Sequence, residues 1–142
     1  MGADCHDFFI EQRYDGLSKW WYVGQIETDR DYIAFGVLAG VREDGLDYIE
    51  PRGYPENMSY QTQDHAQPTD ADGEVTWSDC HSATWLTTDE MVEAQVNYMA
   101  ALRDRGITDS QPYAALEMAI CVMRLAEERG GKDVRAIFCF DN

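Results

Sequence analysis

Two tripeptides carry the residues best suited to chemistry in this chain: Asp4-Cys5-His6 and Asp79-Cys80-His81. They use two of its three histidines. Residues two apart on an extended strand face the same way, so each tripeptide would aim a carboxylate and an imidazole together. That pairing suits a metal ion, general acid–base work or the grip of an anionic ligand. Asp4, His6, His81 and Asp141 form a candidate ligand set for Zn²⁺, Mn²⁺ or Fe²⁺. Water in an open coordination position would then become a nucleophile. The competing reading is structural: the same polar groups bond the backbone and lock the two ends of the chain together, as buried polar side chains normally do. No HExxH or CxxC spacing decides in favour of metal.

A second constellation suits an anionic, nucleotide-like small molecule. Arg52, within Pro51-Arg52-Gly53, has a fork that matches phosphate. Trp85 offers a stacking face, and Ser82 and Thr84 offer hydroxyls just ahead of a helix start, itself an anion site. Against this, Arg52 would equally pair with Glu50 or Glu56, and Trp85 would equally be core. The usual nucleophile systems are absent: there is no GxSxG elbow and no P-loop.

Charge supplies a third reading. Twenty-seven acids oppose eleven bases, giving a net charge of −16. Direct nucleic-acid binding is disfavoured, because phosphate contacts need clustered Lys and Arg. Residues 43–79 hold ten acids and one base, Arg52. Such a segment would imitate nucleic acid and occupy a basic groove on another protein, or simply be a solvated loop.

These residues need positioning elements. Residues 3–13 read as a strand, with Phe8 and Ile10 on the face of Asp4 and His6. Asp15-Gly16 marks a hairpin, and Lys19 to Ile26 the returning strand. Thr28 or Asp29 would cap a helix reaching about Val41, its buried side carrying Tyr32, Phe35, Leu38 and Ala39. Residues 42–78, with their glycines, prolines and polar run, read as one long irregular connection, with short helical turns after Pro55. Thr87 to Arg105 is a helix with a Thr87/Glu90 capping box, a Leu86/Met91 staple and an inward stripe of Val92, Val96, Met99 and Leu102. Ser110 to Arg129 is another, closed by Gly130-Gly131. Its stripes are Tyr113, Leu116, Ile120 and Met123, and Ala115, Ala119, Val122 and Ala126. Val134 to Phe140 is a final strand expected beside the first.

The order is then β-β-α-(loop)-α-α-β. It implies a single α+β domain over 1–142: a small sheet with adjacent N- and C-terminal strands, about three helices and a long acidic loop. No apolar run is long enough for a membrane span, and no secretory signal opens the chain. The cysteines at 5, 80, 121 and 139 match no metal or redox spacing, so all four are expected as reduced thiols, Cys121 and Cys139 in apolar surroundings.

The chain resembles a group of small uncharacterised bacteriophage and prophage proteins. Members open Met-Gly-Cys-Asp-Ile-His and end in an aromatic strand followed by Asp-Asn. Here the opening is Met1-Gly2-Ala3-Asp4-Cys5-His6, and the end is Phe138-Cys139-Phe140-Asp141-Asn142. The likeness continues through Leu38-Ala39-Gly40-Val41-Arg42, Pro51-Arg52-Gly53-Tyr54-Pro55 and His81-Ser82-Ala83-Thr84-Trp85-Leu86-Thr87. Ala3 and Cys5 depart from the pattern and are not counted as ligands. The resemblance implies a phage origin and a host-cytoplasmic setting, with little chemistry attached. The expectation is an accessory protein that binds, sequesters or hydrolyses an anionic nucleotide-like ligand, with a divalent metal as cofactor. The alternative is an acidic nucleic-acid mimic that inhibits a basic host defence protein.

Overall fold

A computed structural model of the chain describes residues 2–66, 71–72 and 80–141. Asp79 and Asn142, named above, lie outside them. The elements in chain order are β1 (Asp4–Cys5), β2 (Phe8–Tyr14), β3 (Trp21–Ile26), α1 (Tyr32–Ala39), α2 (Tyr60–Ala66), β4 (His81–Thr87), α3 (Thr88–Asp104), α4 (Ala114–Glu128) and β5 (Gly131–Asp141). The class is α+β, with an antiparallel sheet organised around β5. Among the described residues no helix is long and apolar enough to cross a membrane.

The chain termini meet in the sheet. Asp4 and Cys5 pair with Asp141 and Phe140, and β2 continues along the same strand, Phe9 opposite Ile137 and Ile10 opposite Ala136. Between β1 and β2 the register slips by one residue at His6-Asp7, where Asp7 takes a φ of 42°. Such a bulge reverses which way the following side chains face. Phe8 and Ile10 therefore enter the main core beside Cys5, Phe138 and Phe140. Asp4 and His6 fall on the opposite face, which corrects the expectation that all four share one.

The main core lies between one sheet face and helices α1, α3 and α4. α1 starts at Asp31, not at Thr28 or Asp29: the Asp31 carboxylate accepts from the N–H groups of Ile33 and Ala34, 3.1 Å each. Gly40, at a φ of 71°, ends the helix in the left-handed conformation that glycine permits. α3 has the expected capping box between Thr87 and Glu90. Its buried side is rotated, however, to Met91, Ala94, Tyr98, Ala101 and Leu102, leaving Val96 exposed. On α4 the stripe of Tyr113, Leu116, Ile120 and Met123 is buried as expected, and Cys121 is exposed rather than apolar-packed.

The other sheet face carries a smaller cluster. Phe9, Ile137 and Ala66 are buried there, with Tyr22, Tyr54, Met58 and Trp85 packed around them. The segment expected as an irregular loop thus contributes a helix, α2, and a lining. Leu46 and Ile49 pack on the main core, Tyr54 and Met58 on this face, while Asp44, Asp47, Glu50, Glu56 and Asp64 point outward, exposed.

Strand β4 has no counterpart in the sequence reading, which ended the connection at residue 78 and gave residues 81–86 no element. It pairs with the free side of β5, Leu86 opposite Ala136 and Trp85 opposite Ile137. Its outer edge is covered by the Arg52-Gly53 turn, where Gly53 N–H donates to Ala83 O at 2.8 Å. Cys80 and Cys139 form a disulfide joining the start of β4 to β5. This overturns the reduced-thiol expectation for that pair, while Cys5 and Cys121 remain free. The spacing could not show it, because 59 residues separate the partners.

Candidate functional site

The first candidate set divides between the two sides of β5. Asp4 N–H donates to Asp141 Oδ1 at 3.3 Å, and His6 Nε2 lies 2.6 Å from Asp141 Oδ2. Asp4's own carboxylate is turned to Arg30, which donates twice, at 2.8 and 2.9 Å. That bidentate bond holds the Asp4 pKa below its ordinary value. These contacts tie the two ends of the chain together. His81 instead stands in register with Phe140 on the other side of β5, its Nδ1 2.9 Å from Ser82 Oγ. Adjacent residues of a strand face opposite ways, so the pairing directs His81 toward one face and Asp141 toward the other. Among the described residues, no three His, Cys, Asp or Glu side chains gather where a metal ion could sit.

The second set is partly assembled. The Arg52 guanidinium lies 4.4 Å from the centre of the Trp85 ring. Its fork, however, already grips Glu90, Nη1 to Oε1 at 2.8 Å and Nη2 to Oε2 at 2.5 Å. The hydrogen bonds from Arg52 are the main cause that lowers the Glu90 pKa. Glu90 therefore does two jobs, closing the α3 capping box and neutralising Arg52. Neither Glu50 nor Glu56 takes the role the sequence offered them. Thr84 is buried and accepts from Arg52 N–H at 3.0 Å. Ser82 occupies a bulge at a φ of 54°. The arginine, the tryptophan and the helix start are neighbours, but the arginine's fork is already taken by Glu90.

Beside Trp85 and the start of α3 opens a cleft of about 450 Å³. Strand β2 supplies Arg13, the connection from β2 to β3 supplies Trp20, α3 supplies Thr88, and β5 supplies Lys132 and Arg135. Three of the chain's eleven bases thus line one cleft, together with three acids, Asp89, Glu127 and Asp133.

Arg135 is its best-ordered group. The side chain is 6% exposed and lies opposite Glu11, which is fully buried. Its Nε and Nη2 donate to Glu11 Oε1 at 2.9 and 2.7 Å, and Nη2 also donates to Glu56 O at 3.2 Å. Glu11 Oε2 accepts from Ser59 N–H at 2.6 Å. The indole of Trp20 covers the guanidinium at 3.6 Å. Burial pushes the Arg135 pKa down from its ordinary value, and an arginine stays protonated at neutral pH. Among the described residues Nη1 has no protein acceptor, yet it is not a sealed, unsatisfied atom.

Around it the partners are uneven. Arg13 donates to Asp133 at 3.1 and 2.8 Å and packs over the same Trp20 ring at 4.8 Å. Lys132 is exposed and makes no ion pair among the described residues. Thr88 is 6% exposed and its Oγ1 is buried with no partner among them. Buried polar atoms are seldom left so.

Sequence reasoning missed Arg13, Trp20, Thr88, Lys132, Arg135 and the supporting Glu11. A signal did exist. Glu11 follows Phe8-Phe9-Ile10 and Arg135 sits inside Val134-Arg135-Ala136-Ile137. Lone opposite charges in two apolar strands are expensive to bury unless they meet.

No protein-family model, no curated protein and no solved structure matches the chain.

Proposed function

We propose that the protein binds, and thereby sequesters, a small anionic nucleotide-like ligand in the cleft beside Trp85. One observation carries the reading: Arg13, Lys132 and Arg135 converge with Trp20 and Trp85 at the start of a 17-residue helix, on a molecule of net charge −16. The cleft volume, about 450 Å³, falls in the range of small-molecule sites. A helix N-terminus favours anions, and an arginine fixed on three sides offers its remaining donors without further ordering cost.

Binding is all that is asked of these side chains, and turnover is not required. The cleft lining contains no histidine or cysteine among the described residues. The reading needs no divalent metal from Asp4, His6, His81 and Asp141. The resemblance to phage and prophage proteins suggests a setting, the cytoplasm of an infected host, where removing a nucleotide signal would blunt defence.

The test is isothermal titration with adenosine monophosphate at about 50 mM salt, where surface charge is only partly screened. Saturable binding that weakens at least about fivefold, roughly 1 kcal/mol, in Lys132→Ala supports the proposal. No heat from any mono-, di- or cyclic nucleotide at millimolar concentration would end it.

A specific observation also favours the acidic-mimic reading. Asp44, Asp47, Glu50, Glu56 and Asp64 point outward while their apolar neighbours Leu46, Ile49 and Met58 face inward. That segment would present charge to a basic groove. Capture of a DNA-binding host protein that collapses as salt rises would support this reading; capture indifferent to salt would count against it.

A further inference from the structure

We infer that the cleft selects a ligand carrying one phosphate group, a nucleoside monophosphate or a cyclic phosphodiester, over di- and triphosphates. This deepens the ligand-binding reading above and rests on it.

The argument is a count of what remains available once internal partners are subtracted. Arg13 is neutralised by Asp133, and Arg135 by Glu11. Arg135 keeps only its Nη1 donors open, and Lys132 is the one lining base without an ion-pair partner among the described residues. Thr88 adds a hydroxyl with no partner among the described residues. The six donor hydrogens of these three groups suit the acceptors of a single phosphate.

The same cleft is lined by Asp89 and Glu127, both exposed and in no ion pair among the described residues. Asp89 also sits in the first turn of α3, where it offsets the helix's attraction for a second anion. Each added phosphate brings further negative charge toward two uncompensated carboxylates and no new cation. The net charge of −16 adds to that repulsion at low salt.

The experiment titrates adenosine, adenosine monophosphate, 3′,5′-cyclic adenosine monophosphate and adenosine triphosphate into the full chain without Mg²⁺, at fixed ionic strength. Both single-phosphate ligands are expected to bind at least about tenfold tighter than the triphosphate and than adenosine. Replacing the two carboxylates together, Asp89→Asn with Glu127→Gln, should narrow the gap to the triphosphate at least about threefold. Triphosphate binding as tight as monophosphate, or a gap unchanged in the double variant, overturns this inference while leaving a nucleotide site standing. Absence of binding by all four compounds removes the ligand-binding reading itself. The double variant touches only exposed side chains, so loss of the fold does not confuse the outcome.

Discussion

Glu11 and Arg135 stand opposite each other on β2 and β5, 2.7 Å apart between Oε1 and Nη2, with side chains 0% and 6% exposed. Two charges buried in mid-sheet are costly to desolvate, and good geometry with additional hydrogen bonds must offset the cost. Ser59 N–H on the carboxylate, and Glu56 O and Trp20 on the guanidinium, supply that support. The pair thereby connects the cleft to the segment leading into α2.

Removing one partner strands the other. Glu11→Ala is expected to destabilise the fold by about 3–5 kcal/mol. Replacing both partners, Glu11→Met with Arg135→Leu, should recover most of that loss, because an apolar pair leaves no buried charge. Urea unfolding of the three proteins checks this. A double variant no more stable than Glu11→Ala would show that the pair is not the source of the cost.

The Arg52–Glu90 pair gives stability a dependence on acid. The Glu90 pKa is lowered in the fold from its ordinary 4.5 by the Arg52 hydrogen bonds. A depressed folded value means the contribution is complete above the unfolded pKa and disappears as pH falls through the folded one. Wild type should therefore lose stability between about pH 5 and pH 3 more steeply than Glu90→Gln. Parallel urea midpoints across that window would argue that the pair contributes nothing.

Thr87 accepts from Glu90 N–H at 3.3 Å while Glu90 returns a bond to Thr87 N–H at 3.0 Å. Thr87→Ala should cost about 1 kcal/mol. Thr87 also lines the cleft, so the stability loss is to be read in ligand-free protein by thermal melting. A change below about 0.3 kcal/mol would deny the cap its role.

The disulfide makes a countable prediction. Thiol titration of unreduced protein in denaturant should find two reactive groups, Cys5 and Cys121. Without denaturant only Cys121 should react, since Cys5 is buried and burial pushes its thiol pKa up. Reduction should lower stability by about 4 kcal/mol on a chain-entropy estimate for a separation of 59 residues. Four thiols in unreduced, unfolded protein would show that Cys80 and Cys139 are not joined.

Local signals were readable in the sequence, and partnerships across long separations were not. The Thr87/Glu90 cap and the Tyr113–Met123 stripe depend on neighbours three or four residues away, and both stand. The expected meeting of the terminal strands is present. The face of Asp4 and His6 was misread because a single bulge at Asp7 reverses the alternation after it, and a lone aspartate is a weak signal for it. Strand β4 was hidden because it runs straight into α3, without a Gly or Pro between them. The bond from Arg52 to Glu90 spans 38 residues, and that from Arg135 to Glu11 spans 124. The cleft is built from such contacts, so its parts looked unrelated along the chain.

The most direct test of the central claim is ¹⁹F NMR of 5-fluorotryptophan-labelled protein during titration with adenosine monophosphate, each resonance assigned by a Trp→Phe variant. The account predicts saturable shifts for Trp85 and Trp20, which line the cleft, with little change at Trp21, which is exposed on β3. Shifts confined to Trp21, or none at saturating ligand, would contradict it.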